Sequence, residues 1–278
     1  MRYRILSIVA LAATLLAGAA HAQDTTPDPV DTLERAKVKG KLTACADPYQ
    51  YPYSEQGALK PGFDLEIMSQ IAALGGMRID VYWVNTATRG GMGRAFRQSI
   101  FAKRCDVFVG LSDNGEDDLL DDKLVFSDAY MSLGYVLVVQ GKAGGMHTLE
   151  ELKQANIKVG VSMSTPIDDY LFTHQIPREL YLGSQRVMQG MAKGEIDAAI
   201  VWATAVAIGK REFPDAKFHM VDGYVPAQGQ RFNSKFVVRK EDASLLKFVN
   251  EGIKQLGNEK VRLIVESYGV PFYQPFSS

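Results

Sequence analysis

Apolar and polar positions along the chain switch repeatedly between a strand period and a helix period. Leu42–Ala46 is a short, mostly apolar run that reads as a strand. Ile67, Met68, Ile71 and Leu74 then recur at helical spacing, with Asp64 placed to cap the helix and Gly75-Gly76 to stop it. Ile79–Val84 is a second strand. Met92, Phe96 and Ile100 mark a second helix, and "CDVFVG" from Cys105 to Gly110 is a buried third strand. Strand, helix, strand, helix, strand predicts a parallel sheet with right-handed crossovers.

The pattern then repeats. Ile157–Val161, Glu179–Leu182 and Ile196–Val201 read as strands, separated by a helix opening at "STPIDDYLF" and another capped by Ser184. The junction "AKRCDVFVG" is echoed by "AKGEIDAAIV", which suggests two α/β lobes of similar plan. Two extended stretches, about 132–140 and 233–240, lack a helical period and would carry the chain to the second lobe and back. The expected organisation is lobe I from 23–133 plus 233–278 and lobe II from 136–231. Helical segments Ala243–Leu256 and Glu259–Tyr268 end the chain. Two lobes joined by two crossings close around a ligand by a hinge.

The ends and composition narrow the class. Arg2 and Arg4, the apolar run Ile5–Ala20 and the final Ala20-His21-Ala22 have the order of a secretory signal peptide, 1–22. The run is shorter than the ~20 residues a membrane span needs. A periplasmic chain starting at Gln23 is expected, with "QDTTPDP" as a polar leader. Its loss of two arginines takes the formal charge from -1 to -3, which indicates neither nucleic-acid binding nor a polybasic membrane patch. Cys45 and Cys105 would meet an oxidising compartment, so they form either one disulfide or two buried thiols.

Enzyme signals are poor. The histidines lie in separate elements, and no H-E-x-x-H, C-x-x-C or G-x-S-x-G occurs. "RGGMGR", which contains Arg89, lacks phosphate-loop spacing and reads as a loop opening a helix. In "STPID", Ser164 precedes Thr165 at the N-cap, Pro166 at the first helical position and Asp168 three after the cap. That helix end is either an ordinary cap or a site for an anion or carbonyl, weakened by Asp168 and Asp169 in the first turn. Tyr49, Tyr51 and Tyr53 alternate in "PYQYPY"; in an extended segment they share one side, as a stacking wall, a partner anchor or lobe-edge packing. "SDNGEDDLLDD", Ser112–Asp122, does not fit an EF-hand and reads as a solvated acidic face.

Several motifs together carry a family likeness. "KLTACADPYQYPYSE", "PGFDLEIMSQIAALGG", "RCDVFVGLSD", "LVFSDAYMSLGYVLVVQ", "TLEELKQANIKVGVSMSTPIDDYL" and "MAKGEIDAAIVWATAVA" resemble, along nearly the whole mature chain, the family 3 periplasmic solute-binding proteins. That resemblance implies a type II periplasmic binding protein, α/β and two-lobed, with a doubly crossed hinge and a cleft between the lobes. Amino-acid binders of the family carry a carboxylate-clamping arginine after the third strand and an aspartate after the "IDAAIV" strand. Here those places hold an acidic run and Trp202, while Asp47 and Thr165 are retained.

"CADP" with "RCDV", and Arg89-Gly90, are similar to the quinoprotein-dehydrogenase-associated branch, the MxaJ/XoxJ-type proteins of methylotrophic bacteria, and closer to the XoxJ type. The resemblance implies a non-enzymatic accessory protein with no cofactor, catalytic residue or metal of its own. Its partner would be a pyrroloquinoline quinone methanol dehydrogenase, calcium- or lanthanide-dependent, together with that enzyme's cytochrome c. Asp47, Tyr49, Tyr51, Tyr53, Arg89, Tyr130, Ser164, Thr165 and Trp202 are the expected cleft or partner-binding residues. The alternatives are a transporter's receptor for a small non-amino-acid solute, and a dehydratase using Asp47 with Asp113 or Asp117.

Overall fold

The computed structural model describes residues 31–113, 122–227 and 229–276. The expected signal peptide, the polar leader and most of the acidic run lie outside the described residues. The first element is α1 (Thr32–Lys39), capped by Asp31, whose carboxylate accepts from the Leu33 N–H at 2.8 Å. Sequence reading missed it because Leu33 and Ala36 are the only apolar residues it buries. β1 (Lys41–Ala46) leads into a hairpin of β2 (Tyr49–Gln50) and β3 (Ser54–Glu55), followed by α2 (Phe63–Leu74), β4 (Arg78–Trp83), α3 (Gly91–Gln98) and β5 (Val107–Asp113). Next come the long strand β6 (Leu124–Val139), α4 (Leu149–Gln154), β7 (Val159–Ser162), α5 (Pro166–Thr173), β8 (Arg178–Tyr181), α6 (Ser184–Lys193) and β9 (Ala198–Trp202). α7 (Ala203–Glu212), β10 (His219–Met220), β11 (Arg231–Arg239) and α8 (Ala243–Glu266) complete the order.

The strands form one mixed sheet in the order β4-β1-β5-β11-β6-β9-β7-β8, with β10 also on β6. At one end β1 pairs in parallel with β4 and β5; at the other β7 pairs in parallel with β8 and β9. Each triplet puts its first strand in the middle, the plan that the sequence echo suggested. Antiparallel β11 and β6 join them. β6 pairs with β11 from Leu124 to Gly134 and with β9 from Tyr135 to Val139, so one strand serves both halves. The extended stretches 132–140 and 233–240 fall on the end of β6 and on β11.

Local boundaries shift for identifiable reasons. α2 starts at Phe63 with Gly62 as its cap, so Asp64 sits in the first turn and is fully buried rather than capping. Leu74, expected on the buried face, is exposed. Gly183, not Ser184, caps α6. The two expected C-terminal helices form α8, broken at Gly257 with φ 71° and ψ 162°. Where α2 crosses α8, a Cβ at Gly252 would lie 2.6 Å from Ile71 Cγ2, so glycine permits the close approach.

Cys45 and Cys105 form a disulfide, which removes the two-thiol alternative. Register places Cys45 opposite Phe108, and Cys105 lies ahead of β5 in an irregular turn that brings the two Cα atoms to 5.6 Å. The bridge sits in an apolar cluster with Phe96, Ile100 and Phe108. Buried Arg239 pins that turn: its Nη1 donates to the Ile100 and Cys105 carbonyls at 3.1 and 2.7 Å, and Asp242 pairs with its Nη2 at 2.6 Å.

Candidate functional site

The segment after β1 is a hairpin whose turn is Tyr51–Tyr53, with Tyr49 opposite Glu55 and Gln50 opposite Ser54. A reversing chain cannot hold three alternate side chains on one side, so the single tyrosine wall does not form. Tyr49 is 79% exposed. Tyr51 lies beneath the Arg211 guanidinium at 3.8 Å and beside the Tyr268 ring at 6.3 Å. Tyr53 packs on Phe63 at 5.0 Å.

Asp47 is the organiser of this hairpin rather than an open ligand group. Its Oδ1 accepts from the Tyr49 N–H at 2.8 Å, and its Oδ2 accepts from the Thr86 N–H and hydroxyl, both at 2.6 Å. The carboxylate thus ties the loop after β1 to the loop after β4.

The contacts between the hairpin and the other half of the sheet include two hydrogen-bonded pairs. Trp202, at the end of β9, donates from Nε1 to the Tyr53 hydroxyl at 2.9 Å. Its indole also meets Tyr135 edge-on at 5.5 Å and lies 5.9 Å from Phe232. Burial pushes the Tyr53 phenol up to about 12, partly offset by the Trp202 hydrogen bond, with the nearby Asp64 carboxyl adding to the rise. The second contact is Arg211 Nη1 donating to both Glu55 carboxylate oxygens at 3.0 and 2.8 Å. The loop after β1 and the carboxyl end of β9 therefore meet, and the carboxyl ends of strands are where open α/β sheets bind ligands.

Beneath Tyr53 lies a buried acid. Tyr130 is fully buried, stacks on Phe236 at 4.4 Å and donates to Asp64 Oδ1 at 2.5 Å. It is part of the floor, not a surface anchor. Burial pushes the Asp64 carboxyl up to about 7, against the Tyr130 hydrogen bond and the nearby Gly110 N–H, which lower it. Asp64 Oδ2 has no hydrogen bond of acceptable geometry.

The α5 start is closed. Thr165 Oγ1 accepts from the Asp168 N–H at 3.3 Å and donates to the Ser162 carbonyl at 2.7 Å. The Ser164 N–H, on a residue with φ 60°, donates to Asp168 Oδ2 at 2.9 Å, and Arg178 Nε reaches Asp168 Oδ1 at 2.7 Å. The donors expected for an anion are spent on the cap. Arg89 is exposed in the loop before α3, and its carbonyl accepts from Arg94 at 3.2 Å.

At the end of β5, Asp113 pairs with Lys235 at 2.5 Å, with both side chains largely buried. Asp47 and Asp113 do not pair as a dehydratase acid and base would, since Asp47 is tied into its loop and Asp113 is held by Lys235; Asp117 lies outside the described residues. Among the described residues no three His, Cys, Asp or Glu side chains gather as a metal site, and no helix is long and apolar enough to cross a membrane.

Of the expected residues, the structure brings together Tyr53 and Trp202, and sets Tyr51 under Arg211. Tyr130 lies in the floor with Asp64, and Tyr49, Arg89 and Ser164 lie elsewhere. Asp64, Gln50, Gly110, Glu55 and Arg211 were missed; only Gly110, ending an apolar strand run, carried a local signal.

No protein-family model matches the chain, and no curated protein does. Solved structures do. The L-cystine solute receptor of Neisseria gonorrhoeae, in its unliganded open conformation, matches with a TM-score of 0.71 at 16% identity, over 87% of this chain and 99% of the receptor. This is the fold of two-lobed type II periplasmic binding proteins. Substrate-binding domain 2 of Lactococcus lactis GlnP, in open conformation, gives 0.66 at 17% identity, covering 82% of this chain and 95% of its own. An ancestral cyclohexadienyl dehydratase gives 0.63 at 17% identity, over 86% of this chain and 96% of its own. The structural neighbours are thus mostly solute-binding proteins, and a catalyst shares the fold.

Proposed function

We propose that this chain is a periplasmic, non-enzymatic binding protein that takes a small non-amino-acid solute between its lobes as the receptor of a transporter. In this reading residues 23–133 with 233–278 form lobe I, 136–231 form lobe II, and 1–22 direct export. The observation that carries it is the meeting of the loop after β1 with the carboxyl end of β9 through Tyr53 and Trp202. The amino-acid clamp is absent from it: the sequence 112–122 at and after the end of β5 contains no arginine, and Lys235 beside it is engaged by Asp113. A thermal-shift screen of sugars, polyols, amines and carboxylates tests it. One solute should raise the melting temperature with saturable dose dependence. A flat response across all classes overturns the receptor reading.

A second reading, docking on a pyrroloquinoline quinone methanol dehydrogenase to assist its maturation, is favoured by one feature. Tyr49 and Leu59, on the loop after β1, are 79% and 106% exposed, as an aromatic and an aliphatic anchor for a partner would be. Titration into apo and metal-loaded dehydrogenase, with and without its cytochrome c, reads binding heat and dye-linked methanol oxidation together. No heat and no gain in activity would remove this reading.

A further inference from the structure

We propose that Gly110 floors a subsite for a primary ammonium group, held by the Asp64 carboxylate and the Gln50 side-chain carbonyl. The proposal rests on the solute-receptor reading and names the chemical class of its ligand. Three separate features meet there.

The first is the backbone. Leu111 pairs with Lys235 and Phe108 with Val237, so β5 carries one residue more than β11 between these pairs. Gly110, within that bulge, has φ +82°, a conformation that disfavours any side chain. Bulges of this kind re-aim the chain beside functional sites.

The second is what surrounds the empty position. A Cβ built on Gly110 would have only two heavy atoms within 4 Å outside its own chain neighbours: Gln50 Oε1 at 3.5 Å and Asp64 Oδ2 at 3.6 Å. The Gln50 oxygen is an acceptor and Asp64 Oδ2 becomes one when the carboxyl is ionised, so the space suits a cationic donor. Gly110 is half-buried and Gln50 is exposed, which places the niche at the surface of the cleft floor.

The third is the unsatisfied carboxylate. Asp64 is fully buried, its Oδ1 is occupied by Tyr130, and its Oδ2, with the Gly110 N–H nearby, makes no hydrogen bond of acceptable geometry. Among the described residues no lysine or arginine pairs with it. A buried carboxylate oxygen without a donor is costly, and a cationic donor both hydrogen-bonds it and balances its charge. With Lys235 engaged by Asp113, a carboxylate on the ligand has no cation to meet there. The class is therefore a small primary amine that carries no carboxylate.

Calorimetric titration of the full chain with methylammonium, ethanolamine and putrescine tests this, against ethylene glycol, 1,4-butanediol and glycine. At least one amine should bind while its hydroxyl counterpart does not. Gln50→Leu, on the exposed hairpin, should weaken that amine roughly tenfold to a hundredfold, the loss of one hydrogen bond to a charged group. Gly110→Ala should abolish it; if that variant does not fold, Gln50→Leu decides. Equal binding of amine and diol, or an amine affinity unchanged in Gln50→Leu, overturns the subsite. Binding of a sugar or carboxylate but of no amine overturns the subsite and leaves the receptor reading standing. If no solute of any class binds, the receptor reading falls and takes the subsite with it.

Discussion

Replacing both cysteines by alanine removes a cross-link between residues 60 apart in sequence. In the chain-entropy description, closing a loop of that length costs the unfolded chain about 4 kcal/mol at 25 °C. Both sulfurs are buried among Phe96, Ile100 and Phe108, so the native state also loses some packing and gains little room to relax. For a chain of this size each kcal/mol moves the midpoint by about 2–4 °C, so the double variant should melt about 10 °C lower. Urea unfolding supplies a second readout. Releasing the loop lets the unfolded state expand, so the slope against urea should rise as the midpoint falls. Oxidised protein, protein unfolded in reductant and the double variant should give three curves, of which the last two share a slope, with the double variant's midpoint the lowest because it also lacks the buried sulfurs. An oxidised curve that overlays the double variant in both midpoint and slope would refute the reasoning, since the bridge would then constrain nothing that the folded sheet does not already hold.

Asp64 makes stability depend on pH. Its folded value of about 7 lies above the ordinary 3.8, so the folded state keeps a proton that the unfolded chain has lost. Stability is fully present below about pH 4 and falls as pH rises through 7, by about 4 kcal/mol at most at ~1.4 kcal/mol per unit. Asp64→Asn should flatten urea midpoints between pH 5 and 8, and an unchanged slope would assign the dependence to another group. Tyr53, at about 12, and Tyr130, higher than usual, stay neutral throughout that range. Gly62→Ala should destabilise by about 3 kcal/mol or more, because its Cβ would lie 2.1 Å from the Tyr53 carbonyl oxygen at φ +120°; a circular-dichroism melt within 2–3 °C of the parent would contradict that. Tyr49→Ala should leave the melt unchanged and, under the second reading, weaken dehydrogenase binding by about tenfold, as hot-spot tyrosines do.

The periodic parts of the fold were legible. The β1-α2-β4-α3-β5 run and its repeat follow from apolar spacing, because β1, β5, β7 and β9 are central strands with buried runs and the helices between carry apolar faces. Elements held by context were not. α7 is built largely of small residues, and β6 begins eight residues before the stretch that looked extended, because Ser127 and Asp128 interrupt its apolar run. The site was legible by residue type but not by partner. Trp202 stood out as an aromatic where the amino-acid binders carry an aspartate, yet its partner Tyr53 is 149 residues away. Asp64 read as a helix cap, because nothing local reveals that Tyr130, 66 residues on, will bury it. The tyrosines misled because alternation was read as an extended strand, whereas Pro52 sits in a turn. The disulfide stayed open because register, which decides it, is not a local property.

The contacts that span the cleft bear on both proposed functions. The Trp202–Tyr53 hydrogen bond contributes about 1 kcal/mol, and the guanidinium over Tyr51 about 0.5–1. The Arg211–Glu55 pair, with side chains 47% and 28% exposed, adds 0–1 at most because solvent screens it. Together they contribute about 1.5–3 kcal/mol to touching lobes, which with nothing opposing them leaves an open form at about 1–10 per cent. A ligand that enters only the open form therefore loses about tenfold to a hundredfold in apparent affinity, and a variant lacking the contacts recovers it. Trp202→Phe with Arg211→Ala should expand the chain in small-angle scattering. A solute held between the lobes by Trp202 and Tyr53 would then bind more weakly. A dehydrogenase segment admitted only when the lobes part would bind more tightly, so the sign of the change separates receptor from accessory protein. Unchanged scattering would mean that β6 and β11, rather than the side chains across the cleft, set the lobe angle.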